Sequence, residues 1–259
     1  NYQFLLRAMF GVGGGSGVRD MVLSPVVAAL NPHRRSAAMN MLHSFYCLGA
    51  VVTALGGTAL LWFEFGWRET ILFFVPLPLV LALAMGFASF PHLTHEEGER
   101  IPFPSLLKQW WFIGALLAIF LGGATELGMA QWLPAYAEKS LDFPKWIAGA
   151  SLAAFSIAMT IGRAGIGLIS ERVDSYTIMA WGCGLSVVLF LIGSFFPDPV
   201  IALSACILVG LTGSCLWPTM LAVTADRYPN GGATMFGALA ALGNAGGIFM
   251  PWTVGAIAD

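Results

Sequence analysis

Charged side chains interrupt long apolar stretches of the sequence at four places: Arg7, the adjacent pair Arg19 and Asp20, Glu126, and Arg163. A charge at the centre of a lipid bilayer costs about 2.5–3.5 kcal/mol on insertion scales, so each group needs a partner or a hydrated cavity. A carboxylate in such a place can exchange a proton, because a dry environment favours its neutral form and a neighbouring cation its charged form. Asp20 and Glu126 are therefore the candidate proton-coupling residues. A permanent ion pair between Arg19 and Asp20 is the alternative.

Hydrogen-bonding side chains form a stripe on another apolar stretch. Asn40, His43 and Cys47 follow at helical spacing and share one face, and Tyr46 lies beside them. Asn and His both donate and accept hydrogen bonds, which suits a hydroxyl-rich substrate. Histidine also titrates near neutral pH, so His43 could join a proton path. Hydrogen bonding between helices is the alternative for this stripe.

Two further candidate contacts follow Glu126 in sequence. Glycines precede Glu126 and Pro134 follows it, so the helix that carries them is expected to bend or break. Gln131 and Trp132 lie on this helix as candidate substrate contacts. Glu126 and Gln131 face one cavity only if the helix is distorted, since five residues turn an ideal helix by about 140°. A hydrated acid near the outer interface is the alternative for Glu126.

Trp217, directly before Pro218, and Asn244, among several glycines, complete the set of candidate substrate contacts. An indole ring can stack on the apolar face of a sugar. A packing or interfacial Trp is the alternative, because Trp is enriched at membrane interfaces.

The composition shows what must position these groups. Of the 259 residues, 58% are hydrophobic and only 10% are charged, and the mean hydropathy is +0.78. A soluble domain carries about 25% charged residues. The 12 Lys and Arg against 14 Asp and Glu provide no basic face for nucleic acid. The composition therefore predicts a polytopic membrane protein.

Eight stretches are long enough to cross a bilayer, which takes about 20 apolar residues of helix. Lipid requires every backbone polar group to be satisfied internally, so the predicted fold class is all-α. The spans lie near 3–29, 36–62, 70–90, 110–137, 146–169, 175–196, 199–224 and 233–257. The four cysteines fall within these spans and are expected to be small buried residues rather than disulfides or metal ligands.

The connecting loops predict the orientation and the division of the chain. If the loop after the first span is cytoplasmic, that side carries more basic residues than the other, which agrees with the positive-inside rule. Its basic residues are Arg34, Arg35, Arg100, Lys108, Arg172 and Arg227, against Arg68, Lys139 and Lys145. A polar linker over 92–109, with His95, Glu96, Glu97 and Glu99, separates a first group of spans (1–91) from a second (110–259).

An internal repeat in the sequence supports this division. A glycine-rich run leads through Pro25 to the loop at Asn31 in the first group, and a similar run leads through Pro218 to the loop at Asp226 in the second. Parallel repeats of such bundles are typical of secondary transporters.

Two passages resemble a known family. The run from Arg7 to Gly15 resembles the RxxxGxGxG motif that opens the fourth helix of the major facilitator superfamily. The run from Gly162 to Arg172 is similar to the second-half copy of its cytoplasmic Gly/Arg/acid motif. The resemblance implies two six-helix bundles, of which this chain looks like helices four to eleven.

More narrowly, residues 20–25, 40–49 and 210–219 are similar to the fucose permease branch of sugar:proton symporters. This chain departs from that branch in three ways: Asp20 stands for a Glu, Arg19 for an apolar residue, and Tyr46 for an Asn that would line the sugar site. The branch's proton-binding Asp lies in a helix that is not part of the sequence.

These observations predict a secondary active transporter that moves a small solute, a neutral sugar, by proton symport and alternating access. Gating or structural roles are assigned to five charged residues: Arg7, Arg19, Arg163, Glu171 and Arg172. The protein is expected to be a monomer in the cell (inner or plasma) membrane, with no cofactor or metal and the proton as coupling ion. It is not expected to be an enzyme, because no nucleophile–base pattern is present. The alternatives are an organic-acid or sugar-acid carrier that uses Arg19, and a transporter-like nutrient sensor.

Overall fold

A computed structural model gives the structure of the chain and describes residues 2–88 and 100–258, in which the regular secondary structure is helical throughout. The prediction of an all-α membrane protein is confirmed. The helices of the first group are α1 (Tyr2–Leu30), α2 (Arg35–Trp62), α3 (Trp67–Phe74) and α4 (Pro76–Phe87). After them come α5 (Phe103–Leu106), α6 (Trp110–Ala135), α7 (Lys145–Ile169), α8 (Ser175–Phe195), α9 (Pro199–Gly213), α10 (Leu216–Arg227) and α11 (Gly232–Ala258).

Seven helical stretches of the described chain are long and apolar enough to cross a membrane, and they correspond to the second to eighth predicted spans. The first predicted span forms the 29-residue helix α1, which has the required length but lower hydropathy. The charges of Arg7, Arg19 and Asp20 and the glycines between them explain the difference.

Two spans are interrupted where the sequence analysis expected continuous helices. α3 and α4 meet at Val75, before Pro76, and α9 and α10 meet at Ser214 and Cys215, before Pro218. Proline has no N–H, and its ring clashes with the carbonyl four residues earlier. The carbonyl that Pro218 leaves without a helical partner is that of Ser214.

The expected distortion of α6 falls later than predicted. The helix is α-helical without a break from Trp110 to Ala135 and then forms a π-helical turn, Tyr136–Ser140, just after Pro134. Glu126 and Gln131 therefore keep ideal helical spacing and point to different sides.

α6 and α11 pack most closely, because glycines meet where they cross. A Cβ built on Gly123 would overlap the carbonyl oxygen of Gly243, and one built on Gly246 would overlap that of Phe120. Small residues at such crossings let two helix backbones approach each other. The crossing holds Glu126 of α6 and its surroundings at a fixed distance from α11.

The first group of helices contacts the second through α1 and α2. α1 packs on α11, and α2 packs on α7 and α10, whereas the side chains of α3 and α4 are exposed or partly exposed. The glycines of α1 from Gly11 to Gly17 have nothing within 4 Å of a built Cβ in the described part of the chain. These glycines therefore make no close helix contact among the described residues.

An apolar cluster joins the two groups on the side of the Asn31 loop. Ala28 and Met39 of the first group pack with α10 and α11 residues such as Leu221, Phe236 and Leu239. Met39 and Leu239 are completely buried. We call this cluster the apolar plug.

The end of the predicted linker packs on the second group. Residues 92–99 of the linker, including His95, Glu96, Glu97 and Glu99, lie outside the described residues. Further along, the Ile101 N–H donates to the Asn230 carbonyl at 3.2 Å, and Leu106 of α5 is fully buried. α6 begins at Trp110, where the second group was expected to start.

Candidate functional site

A cavity of about 370 Å³ lies between the two groups of helices. From here on, the first group (1–91) is called the first half and the second group (110–259) the second half. The walls of the cavity come from α1, α2 and α4 of the first half and from α6, α7, α10 and α11 of the second. Small-molecule sites typically have volumes of about 300–1,000 Å³. Its polar and aromatic lining consists of Ser16, Arg19, Asp20, Ser24, His43, Phe45, Tyr46, Glu126, Arg163, Trp217 and Asn244.

A buried ion pair forms one wall of this cavity. Nη2 of Arg163 donates to Oε2 of Glu126 at 2.6 Å, and the two side chains are 2% and 13% exposed. Charges in such a place are stable only when paired and hydrogen-bonded. The pair therefore explains how α6 and α7 tolerate an acid and a base within their apolar sequences.

Arg163 also connects the two halves. Its Nη1 donates to the His43 carbonyl at 3.1 Å and lies 2.9 Å from Cys47 Sγ, both on α2. Its Nε donates to the Ser214 carbonyl at 3.1 Å, at the break between α9 and α10. A single guanidinium thus holds α2 of the first half against three segments of the second.

The second acid of the cavity is paired as well. Nε and Nη2 of Arg19 both contact Oδ1 of Asp20, at 3.1 and 2.9 Å, and Nη2 also contacts Ser16 Oγ at 3.2 Å. This is the ion pair that the sequence analysis left open for Asp20. The Arg19 and Asp20 side chains are 52% and 30% exposed, much more than those of the Arg163–Glu126 pair. Exposed pairs contribute only about 0–1 kcal/mol, so this one is easier to open.

The polar stripe of α2 divides between the cavity and the protein interior. His43 and Tyr46 line the cavity, and His43 Nε2 is shielded from solvent without a hydrogen-bond partner among the described residues. Asn40 is completely buried, and its Nδ2 donates to Thr219 Oγ1 at 3.0 Å and to the Ser36 carbonyl. The structure thus places Asn40 in a contact between helices, below the cavity, rather than among the lining residues.

Trp217 and Asn244 lie on the cavity wall as expected from the sequence, but Gln131 and Trp132 do not. The latter two border an open groove at the far end of α6, where Trp132 Nε1 donates to the Pro251 carbonyl at 2.9 Å. The uninterrupted α-helical spacing of α6 is the reason, since it turns Gln131 away from the face of Glu126.

The loop-side end of the molecule carries ion pairs between the halves. Arg34 pairs with Glu171, and Arg35 pairs with Asp226 at 2.7 Å. Arg35 also donates to the Ala28 and Ala225 carbonyls, at 3.3 and 3.4 Å. These contacts lie outside the apolar plug and close the same end of the molecule.

The residues assigned gating or structural roles lie in different places. Arg163 lies on the cavity wall and pairs with Glu126, whereas Glu171 pairs with Arg34 on the loop side. Arg7 and Arg172 are exposed. Arg34, Arg35 and Asp226 were not identified as contacts from the sequence, although they lie in or beside the two loops that the internal repeat matched.

Comparisons with known proteins agree on the family. The chain is 22% identical over 266 aligned residues to the glucose/mannose transporter GlcP of Bacillus subtilis, covering 95% of this chain and 64% of GlcP. It is 29% identical over 167 residues to a Mycobacterium tuberculosis protein named "Probable nitrate/nitrite transporter NarK2", covering 62% of this chain and 40% of that protein. The chain spans about two thirds, 64–65%, of the two curated relatives that it matches over nearly its whole length.

The fold is similar to that of FucP, solved in its outward conformation. The TM-score is 0.79 at 17% identity, over 99% of this chain and 70% of FucP. The family model of the Major Facilitator Superfamily matches residues 1–251. The chain therefore belongs to the major facilitator superfamily, whose members are membrane transporters rather than enzymes.

Proposed function

We propose that the protein transports a small neutral sugar by proton symport and alternating access. The observation that carries the proposal is the charge balance of the cavity: the cations Arg19 and Arg163 are matched by the anions Asp20 and Glu126. A neutral solute with many hydroxyl groups finds donors and acceptors there without a net charge to repel or attract it. GlcP, named as a glucose/mannose transporter, and FucP, named as a fucose:proton symporter, support this choice of substrate.

The contacts between the halves support alternating access. Three layers separate the cavity from the loop side: the Asn40–Thr219 hydrogen bond, the apolar plug, and the Arg34–Glu171 and Arg35–Asp226 pairs. All three join the first half to the second, so they must separate before a solute can leave on that side. We infer that this state receives its substrate from the opposite side.

Glu126 is the better-placed of the two candidate coupling acids. Among the described residues, Asp20 pairs with Arg19 of its own helix, whereas Glu126 holds an arginine that also binds the first half. Protonation of Glu126 would remove its charge from the pair and weaken the hold on Arg163 and thereby on α2. A proton bound at this position is thus linked to the contact between the halves. Asp20 is the second candidate.

The test is counterflow in proteoliposomes that contain the product of the complete gene. The panel consists of radiolabelled hexoses, deoxyhexoses and uronic acids, with and without an imposed pH gradient. We expect exchange of a neutral hexose or deoxyhexose, accumulation when the outside is acidic, and alkalinisation of the outside during uptake. Exchange of uronic acids alone would contradict a neutral cargo, and exchange without proton movement would contradict symport.

A second candidate, a carrier of organic or sugar acids, is favoured by one observation. The Arg19 guanidinium is half exposed on the cavity wall, and opening its weak pair with Asp20 would free it for a carboxylate. NarK2, named for the anions nitrate and nitrite, is consistent with it. Loss of uronate exchange in Arg19→Gln would support this candidate. Tight binding of a solute without any exchange would instead indicate a sensor.

A further inference from the structure

Trp217 sits in a slot between two helices. The atoms nearest to a Cβ built on Gly243 are Cζ3, Cη2 and Cε3 of the Trp217 ring, and the first two would overlap it. On the other side, a Cβ built on Gly123 would lie 3.0 Å from Cζ3 of the same ring. The six-membered edge of the indole thus occupies the space that the missing side chains leave at the crossing of α6 and α11.

The slot determines how far the ring reaches into the cavity. Trp217 is half-buried, and it lines the cavity together with Asn244, the residue that follows Gly243. In an indole the nitrogen lies on the edge opposite Cζ3, so the edge with Nε1 points away from the slot. Pro218 directly after Trp217 restricts the backbone that carries the ring.

We propose that Gly243 is a positioning residue for substrate size: its lack of a side chain lets the Trp217 ring recede and leaves room for a six-carbon sugar. The proposal rests on the proposed transport of a neutral sugar. Any side chain at position 243 would press against the ring, because the atoms nearest to the new Cβ are all side-chain atoms of Trp217. Position 123 offers no equivalent substitution, since its Cβ would overlap the backbone of Gly243.

The first test compares Gly243→Ala with the wild type in counterflow of a hexose and of the pentose that lacks its hydroxymethyl group. We expect KM for the hexose to rise about tenfold relative to the pentose, in the range that one misfitting carbon group costs in a closed pocket, with maximal rates little changed. Adding Trp217→Phe to Gly243→Ala should restore the wild-type ratio of hexose KM to pentose KM, because the smaller ring makes room for the new methyl group. Gly184→Ala on α8 is the matched control, since its Cβ meets nothing within 4 Å. Equal losses for both sugars, without rescue by Phe, would overturn the proposal.

A second readout does not depend on sugar transport. In a Cys183→Ser background, which removes the exposed thiol, the variant Tyr46→Cys on the first-half wall of the cavity is labelled with a small and a bulky thiol reagent. Gly243→Ala should slow the bulky reagent several-fold and leave the small one unchanged. If the wild type carries no neutral sugar, the proposed function fails, but this size effect still decides whether Gly243 positions the ring. If the bulky reagent labels at the same rate with Gly243 and with Gly243→Ala, Gly243 does not position the ring.

Discussion

Arg163 and Ser214 are joined by a hydrogen bond of 3.1 Å, from Nε to the carbonyl oxygen, that a proline makes possible. Pro218 has no N–H to offer this carbonyl four residues earlier, so the oxygen is free to accept a side-chain donor. The break between α9 and α10 and the arginine on the cavity wall are therefore two parts of one arrangement. It holds the guanidinium so that the other nitrogens reach Glu126 and the His43 carbonyl.

Arg163→Lys should strongly reduce transport. An ammonium group has no planar set of donors and cannot bind the Ser214 carbonyl, the His43 carbonyl and Glu126 together. We expect counterflow to fall at least about tenfold, because lost donors in a buried site are costly. Folding is checked by size-exclusion chromatography and by thermal unfolding in detergent. Normal exchange by a folded Lys variant would show that the network is not needed.

Removing one charge of the Arg163–Glu126 pair should destabilise the protein more than removing both. A buried charge left without its partner costs about 3–5 kcal/mol, whereas the neutral double variant leaves none unpaired. We therefore expect Arg163→Gln to unfold at a lower temperature in detergent than Arg163→Gln with Glu126→Gln. The same midpoint for the two variants would mean that Glu126 does not require its cation.

Glu126→Gln should uncouple transport from the pH gradient while exchange continues. A neutral amide cannot carry the proton, but it keeps the size of the side chain and a hydrogen-bond acceptor for Arg163. Counterflow should stay within about threefold of the wild type, and accumulation driven by an acidic exterior should disappear. The same measurement on Asp20→Asn ranks the two acids. If Asp20→Asn alone loses accumulation, the order inferred from the contacts is wrong.

Breaking the Arg35–Asp226 pair should shift the protein toward opening on the loop side. Arg35→Asp places two acids together, and adding Asp226→Arg restores the pair in reverse. Because partly exposed pairs are worth about 1 kcal/mol, we expect a change of about fivefold in the labelling of a cysteine introduced near the plug. The double variant should reverse part of this change, since it restores the ion pair but not the bonds from Arg35 to the Ala28 and Ala225 carbonyls. Arg68→Gln on the opposite side is the charge control. No recovery in the double variant would argue against a role for this pair.

Gln131 and Trp132 provide a test of where the site ends. Both lie outside the cavity, so Gln131→Ala and Trp132→Phe should change the apparent affinity for sugar by less than about twofold, as is usual for residues without substrate contact. Trp217→Phe should change it more. A large effect at position 131 would extend the site along α6.

The helices could be predicted because the gaps between charges are long. Which face of each helix points to the protein interior could not be predicted. A helix that is apolar all round, such as α6, gives no periodic signal for its buried face. The partner of Glu126 lies 37 residues away on another helix, and nothing in the spacing identifies it. Arg163 was therefore assigned to a loop motif that the sequence made visible, whereas its actual contacts depend on the break at Pro218. The polar stripe of α2 does contrast with its apolar surroundings, and two of its residues, His43 and Tyr46, line the cavity.

The buried end of the linker affects how the two halves can move. Leu106 is fully buried, and Ile101 is bonded to the Asn230 carbonyl, so this segment travels with the second half as one body. A change in separation between the halves is not taken up by this segment while it stays packed. Shortening the chain between Phe87 and Arg100 should therefore limit the amplitude of the transport cycle without changing the residues that line the cavity.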